Sequence, residues 1–205
     1  MKKHRIIGLT GQTGAGKSTV SEVLLQKGAA VINADELVSE LYTPDSICLK
    51  TLAAQFGADI LKADKSLDRP KLAQRAFADK ESTKLLGEIV HPFVLTLFLE
   101  KTSQLVQNGY KCIVFDAPQL FESKANVFCD YIVSVIADKD IRLARICKRD
   151  NISAEMAESR MNAQFSQEFF IENSDFVIEN NGSEEQLREK AGNVTLYPTR
   201  AENMI

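Results

Sequence analysis

The chain is poor in cysteine: Cys48, Cys112, Cys129 and Cys147 are widely spaced and form no C-x-x-C pair. Neither a zinc site nor a disulfide framework is indicated, and buried thiols in a reducing compartment are the plain reading. There is no excess of positive charge, with 25 Lys and Arg against 28 Asp and Glu and a formal net charge of -3. Such a balance gives no general electrostatic attraction to nucleic acid, so no nucleic-acid partner is expected. Long apolar runs are lacking too. Met1-Lys2-Lys3-His4-Arg5 carries the charge of a signal-peptide start, but the apolar run behind it breaks at Gly8, and no other stretch approaches membrane-spanning length. A cytoplasmic protein with no membrane partner is expected. Internal repeats, linkers and low-complexity segments are missing, as is the Asn-Lys-x-Asp element that reads guanine, which speaks against a GTPase switch.

What is present begins at residue 5. Gly11, Gln12, Thr13, Gly14, Ala15, Gly16, Lys17 and Ser18 fit G-x-x-x-x-G-K-[ST], a loop that wraps the phosphates of a nucleotide. The flanks agree with it. Ile6-Ile7-Gly8-Leu9 reads as a buried parallel strand, and Val20, Val23, Leu24 and Lys27 recur at helical spacing before Gly28. Backbone N–H groups must come close to polyphosphate, where a Cβ would obstruct the turn, and Gly11, Gly14 and Gly16 leave that room. The helix starting near Lys17 adds its positive dipole end, the Lys17 ammonium reaches the β and γ phosphates, and Ser18 offers a hydroxyl to Mg²⁺. The loop therefore calls for a nucleoside triphosphate without naming the acceptor.

Ala30-Val31-Ile32 reads as a second strand that delivers Asp35 to its carboxyl end, the edge where open α/β sheets place ligands. Two readings of Asp35 stay open: a base that orients an attacking hydroxyl, or a cap on a helix beginning at Glu36. From Glu36 to about Gln107 the pattern is helical, with breaks at Pro44, Gly57, Asp64 to Pro70 and His91-Pro92. Such an insert exceeds what a βαβ crossover needs and predicts a subdomain for a second substrate. Arg69, Lys71, Arg75 and Lys84 supply cations there, either for that substrate or as solvated helix faces. Pro92 suits the first position of a helix over Phe93 to Leu105, which leaves His91 at its entrance as a cap or a ligand.

Lys111 to Phe115 is a buried-strand pattern ending in Asp116, placed to meet the Mg²⁺ shell near Ser18. Tyr131 to Ile136 is a further strand, and Lys139 to Asp150 a helix on which Arg142, Arg145 and Arg149 share one face. That face is either a lid closing over a phosphoryl group or a surface helix whose arginines pair with Asp138, Asp140 and Asp150. Asn151 to Ser174 reads as helix, Phe176-Val177-Ile178 as a last strand, Asn180-Asn181-Gly182 as a turn and Ser183 as a helix N-cap.

With these residues in order, the chain resembles the dephospho-CoA kinase family from end to end. The resemblance rests on Gly8 to Val20, Ala34-Asp35, Leu67-Asp68-Arg69 with Leu72 and Phe77, and His91-Pro92. It continues through Asp116-Ala117-Pro118-Gln119-Leu120-Phe121-Glu122, then Arg145, Arg149 and Asp150, then Gln164 and Asn181-Gly182. Three positions depart from the family pattern. Asn33 stands where an Asp is frequent, Gly87 where an Asn is expected, and Gln164 to Phe170 holds no basic residue where one usually follows the late Gln by several positions.

The resemblance implies an α/β fold, a P-loop NTPase-type three-layer sandwich with a five-stranded parallel sheet, a helical acceptor-binding subdomain and a lid. One domain is expected, with its core at about 1–35, 109–137 and 175–205, the insertion at about 36–108 and the lid at about 138–174. It implies transfer of the ATP γ-phosphoryl to the ribose 3′-hydroxyl of dephospho-CoA with Mg²⁺. Rival readings are another small-molecule or nucleoside monophosphate kinase, a nucleotide-dependent switch, or a module that binds ATP without transferring it. ATP is expected on Gly11 to Thr19, with Arg145 as lid cation and Asn181 and Gly182 near adenine. The acceptor is expected at Asp35, Arg69, His91 and Pro118, and the metal at Ser18 and Asp116, partly through water. Asp35, Lys17 and Arg145 would carry the chemistry, in a monomer or small homo-oligomer.

Overall fold

The apolar run behind Arg5 is the central strand of a sheet. In the computed structural model, which describes residues 4–196, β1 (Arg5–Gly11) is followed by α1 (Lys17–Gln26), β2 (Ala30–Asn33), α2 (Ala34–Leu41) and α3 (Ile47–Phe56). Then come α4 (Arg69–Ala76), α5 (Lys80–Gln107), β3 (Cys112–Asp116), β4 (Tyr131–Ile136) and α6 (Lys139–Asp150). The chain closes with α7 (Ala154–Asn162), α8 (Gln167–Glu172), β5 (Phe176–Glu179) and α9 (Glu184–Gly192). Residues 1–3 and 197–205 of the expected core lie outside the described residues.

The sheet has five strands in the order β2-β3-β1-β4-β5. β1 pairs in parallel with β3 and β4, and β4 with β5, which leaves β1 covered on both edges and buried from Ile6 to Gly11. Alternate residues Ile7 and Leu9 of β1 join Val114, Val133 and Val135 in one apolar cluster with Val20 and Leu24 of α1 and Leu187 of α9. That is the period of two expected of strands meeting the period of 3.6 expected of helices. A Cβ at Gly8, on the opposite face of β1, would meet Leu120 at 2.7 Å and the Cys129 sulfur at 2.8 Å, so the strand has no room for one there. The register sets Leu9 opposite Asp116 and Gly11 opposite Val135, so the carboxyl ends of β1, β3 and β4 finish side by side.

The chain divides into two compact units, Met1–Ile32 with Gln104–Ile205, and Asn33–Ser103. Within the first, Ile146 of α6 packs on Ala157 and Met161 of α7 with Leu143, Cys147 and Ile152 around them, a small core separate from that of the sheet. The stretch expected as continuous helix from Asn151 to Ser174 is two helices, α7 and α8, capped by the Ser153 and Ser166 hydroxyls. At the far end the expected cap at Ser183 forms a full capping box with Gln186.

The second unit is helical apart from an antiparallel bridge between Leu61 and Leu67. Two expectations are corrected here. His91-Pro92 does not break the helix: α5 runs through it for 28 residues. Proline forfeits one intrahelical bond, but Val90, Val94, Phe98 and Thr102 repeat every four residues and are all buried, so packing holds the stripe across the defect. One stretch is therefore long and apolar enough to cross a membrane, because α5 is a single helix. The other correction concerns the start of α2, which begins at Ala34 with Asn33 as its cap, so Asp35 is not the cap.

Candidate active site

The phosphate loop is built where β1 ends. Gly11, Gly14 and Gly16 have φ of 149°, 78° and 102°, a region that L side chains rarely adopt. Gly14 and Gly16 are also hemmed in. A Cβ at Gly14 would lie 2.9 Å from both the Arg142 carbonyl oxygen and Ile146, and one at Gly16 would lie 2.6 Å from the Asn180 side-chain nitrogen. The Ala15 N–H closes the turn on the Gln12 carbonyl at 3.0 Å. Gly16 is the N-cap of α1 and supplies no side-chain cap, so the first amides of the helix keep their positive end for an anion. Ser18 is exposed in this first turn, and Lys17 extends from it to pair with Asp116 Oδ1. Asp116, at the carboxyl end of β3, is 3% exposed. Gln12 is buried as well, and its Oε1 has no partner among the described residues.

Two further segments hydrogen-bond the loop, and others brace them. Asn180, which follows β5, donates its Nδ2–H to the Ala15 carbonyl at 2.7 Å. Arg145 of α6 donates to the carbonyls of Asn180 at 3.1 Å and Gly182 at 3.3 Å, so one guanidinium braces the turn that braces the loop. Asn181 is committed elsewhere, accepting the Asp138 N–H at 2.8 Å ahead of α6. Gln164, between α7 and α8, accepts the Thr13 N–H at 2.7 Å. Pro118 belongs to the segment after β3, where its carbonyl accepts the Thr10 hydroxyl at 3.3 Å.

The three arginines expected on one face of α6 part company. Arg142 is only 8% exposed, donates Nε–H to the Ala137 carbonyl and has its pKa lowered by burial. Arg149 lies on Asp150 at 2.7 Å, as the surface-helix reading requires, and Arg160 shares that carboxylate. Arg145 alone reaches the turn at Asn180 to Gly182.

In the helical unit, the Asn33 side chain accepts the N–H groups of Asp35 at 2.8 Å and Glu36 at 3.3 Å. The Asp35 carboxylate is thus relieved of capping and exposed. Arg69 opens α4 and lies over the Tyr42 ring, 5.5 Å from its centroid. His91 lies inside α5 above Gly87, where a Cβ would come 3.0 Å from Cε1 of its ring, so glycine at that position makes room for the imidazole. Lys71 and Arg75 pair with Asp59, and Lys84 with Glu88, as solvated helix faces do.

The family model described as dephospho-CoA kinase matches residues 5–186. The chain belongs to the dephospho-CoA kinase family. It is 38% identical over 189 residues to the dephospho-CoA kinase of Oceanobacillus iheyensis, covering 92% of this chain and 95% of that one. The fold matches the crystal structure of TT1252 from Thermus thermophilus with a TM-score of 0.78 at 32% identity, over 93% of this chain and 95% of that one. It also matches the dephospho-CoA kinase from Campylobacter jejuni with a TM-score of 0.67 at 27% identity, over 91% and 92% of the two chains.

In this family member Lys17 of the loop pairs with Asp116, and Arg145 donates to the turn whose Asn180 reaches the loop. Two residues were missed as loop contacts. Asn180 is the member of the Asn-Asn-Gly turn that reaches the loop, and its signal was its place directly behind a strand on the loop's edge of the sheet. Gln164 had no local signal beyond its place in the family pattern.

Proposed function

We propose that this kinase moves the γ-phosphoryl of ATP to the 3′-hydroxyl of dephospho-CoA, giving ADP and CoA, the last step of coenzyme A synthesis. The observation that carries it is a phosphate loop joined to Asp116, Asn180 and Gln164, in a chain matched to the family over residues 5–186. Positioning and charge do nearly all of the work in such a transfer. The loop amides and the α1 N-terminus hold the phosphates, and Lys17 leaves Asp116 to follow the β and γ oxygens. Asp35 takes or directs the hydroxyl proton. In its favour is Asn33, which frees the Asp35 carboxylate, and the place of Asp35 behind β2, as the loop is behind β1.

Asp116 and Ser18 fit magnesium, since both offer hard oxygen, one from a buried strand end and one from an exposed helix turn. No three His, Cys, Asp or Glu side chains cluster among the described residues, which agrees with an ion held mainly by phosphates and water. Held by Ser18 and Asp116, it would supply positive charge against the phosphate oxygens. Arg145 keeps donors beyond its two carbonyls for phosphate oxygens, while Arg69, His91 and Pro118 serve the acceptor. We place the protein in the cytoplasm as a monomer or small homo-oligomer without nucleic acid or membrane, with α5 as a soluble helix anchored by its buried Val90, Val94, Phe98 and Thr102 although most of its apolar window is not buried.

The test is ADP release from Mg·ATP with and without dephospho-CoA, beside adenosine, AMP and shikimate. Stimulation by dephospho-CoA alone is expected. Stimulation by another of them would keep the phosphate chemistry and replace the acceptor.

A further inference from the structure

The hydrogen bond from the Thr13 N–H to Gln164 Oε1, 2.7 Å long, joins two segments 151 residues apart. A carboxamide fixed at its oxygen is fixed in orientation, because oxygen only accepts and nitrogen only donates. Its Nε2 is therefore turned away from the Thr13 amide, and among the described residues neither of its N–H groups has a partner. One loop amide is thereby withdrawn from phosphate, and two side-chain donors stand beyond it.

The turn that carries Gln164 is held from behind. The Gln164 N–H donates to the Met161 carbonyl at 3.2 Å, and the Ser166 hydroxyl accepts the Phe169 N–H at 3.3 Å. Phe165, next in sequence, stacks on Phe169 with ring centroids 4.0 Å apart, and Phe169 meets the edge of Phe121 at 5.1 Å. Phe121 lies five residues beyond Asp116, so an aromatic chain ties this turn to the segment after β3. A donor whose supporting groups are fixed in this way is preorganised. Thr13 itself belongs to the limb of the loop that leaves β1, four residues before Lys17, the first residue of α1.

We propose that Gln164 is a further catalytic residue: its Nε2 donates to the γ-phosphoryl, in the orientation that Thr13 imposes through Oε1. This rests on the nucleotide reading above, though not on the identity of the acceptor. Q164E keeps an oxygen for the Thr13 N–H but has no donor, and Q164M has neither. The full chain with magnesium is titrated calorimetrically with ADP and with β,γ-methylene-ATP, and turnover is followed with dephospho-CoA.

In both variants ADP should bind within about twofold of wild type while β,γ-methylene-ATP weakens about tenfold, the effect of one hydrogen bond to a charged group. Turnover should fall by at least as much, and more in Q164E, whose carboxylate repels the phosphoryl. Equal weakening for both nucleotides would reduce Gln164 to a support of the loop and overturn the proposal, as would no weakening of either. Because Q164E retains the contact to Thr13, it reports even where Q164M does not fold. Wild-type protein that binds neither nucleotide would sink this proposal and the functional reading together. Binding without turnover of dephospho-CoA would sink only the acceptor.

Discussion

Lys17 and Asp116 neutralise one another across 99 residues of sequence, and they are unequally placed to lose one another. The Asp116 side chain is 3% exposed and that of Lys17 18% exposed. Removing the amine strands a carboxylate that has no route to water; removing the carboxylate leaves an ammonium on a long stem that can swing out.

Lys17→Met should therefore cost ~3 kcal/mol and Asp116→Asn only ~1 kcal/mol in urea unfolding without magnesium or nucleotide. Magnesium should raise the Tm of K17M more than that of wild type, because the ion supplies the cation that Asp116 has lost. Equal costs for the two variants would mean that the difference in exposure does not decide which partner is worse to lose. Both variants should lose turnover.

Asn33 caps α2, which under the proposed reaction leaves Asp35 for the hydroxyl proton. Asn33→Ala removes the α2 cap and should cost ~1 kcal/mol of stability, while Asn33→Asp should cost little because aspartate caps as well. Asp35→Asn leaves the cap intact and should unfold with wild type, yet lower kcat on the order of a hundredfold or more with ATP binding unchanged. Unchanged turnover would remove Asp35 from the chemistry.

These assignments also show where the sequence is legible. Strands β1, β3 and β4 and helix α6 were readable because buried runs and 3.6-residue repeats are local signals, and the phosphate loop because its glycines are demanded by backbone geometry. Pro92 misled because the rule for proline is local, whereas the stripe of Val90, Val94, Phe98 and Thr102 that overrides it is a property of packing. Asp35 misled by two positions, since Asn33 and Asp35 are both good capping types and only the true start of α2 separates them. Contacts from Gln164 to Thr13 and from Asn180 to Ala15 span 151 and 165 residues, and no local pattern announces them.

Arg145 holds the Asn180 and Gly182 carbonyls with two nitrogens of one planar group. Lysine has the charge but not the fork. Arg145→Lys should raise the KM for ATP about tenfold, roughly one charge-assisted hydrogen bond, with a smaller change in kcat. Steady-state kinetics at saturating dephospho-CoA separates the two. A loss confined to kcat would mean that Arg145 serves the phosphate oxygens alone and that its hold on the Asn180 to Gly182 turn does not affect ATP binding.

Alkaline pH should weaken the fold through groups remote from the loop. Burial pushes the thiols of Cys48 and Cys112 from 9.0 up to about 11. Burial, reinforced by the Asp130 carboxylate, takes Cys129 to about 12. Burial, helped by Cys48 and opposed by Arg69, takes the Tyr42 hydroxyl from 10.0 to about 12. Each of these groups holds its proton more tightly in the native chain than in the unfolded one. The unfolded state therefore ionises first, and stability present in full below about pH 9 is lost progressively as pH rises toward about 12. Urea unfolding at about pH 7.5, about pH 10 and about pH 11 should show a midpoint that falls as pH rises, with a slope that Tyr42→Phe flattens chiefly above about pH 10. A midpoint that stays level across that range would mean that these protons are not held more tightly in the folded chain.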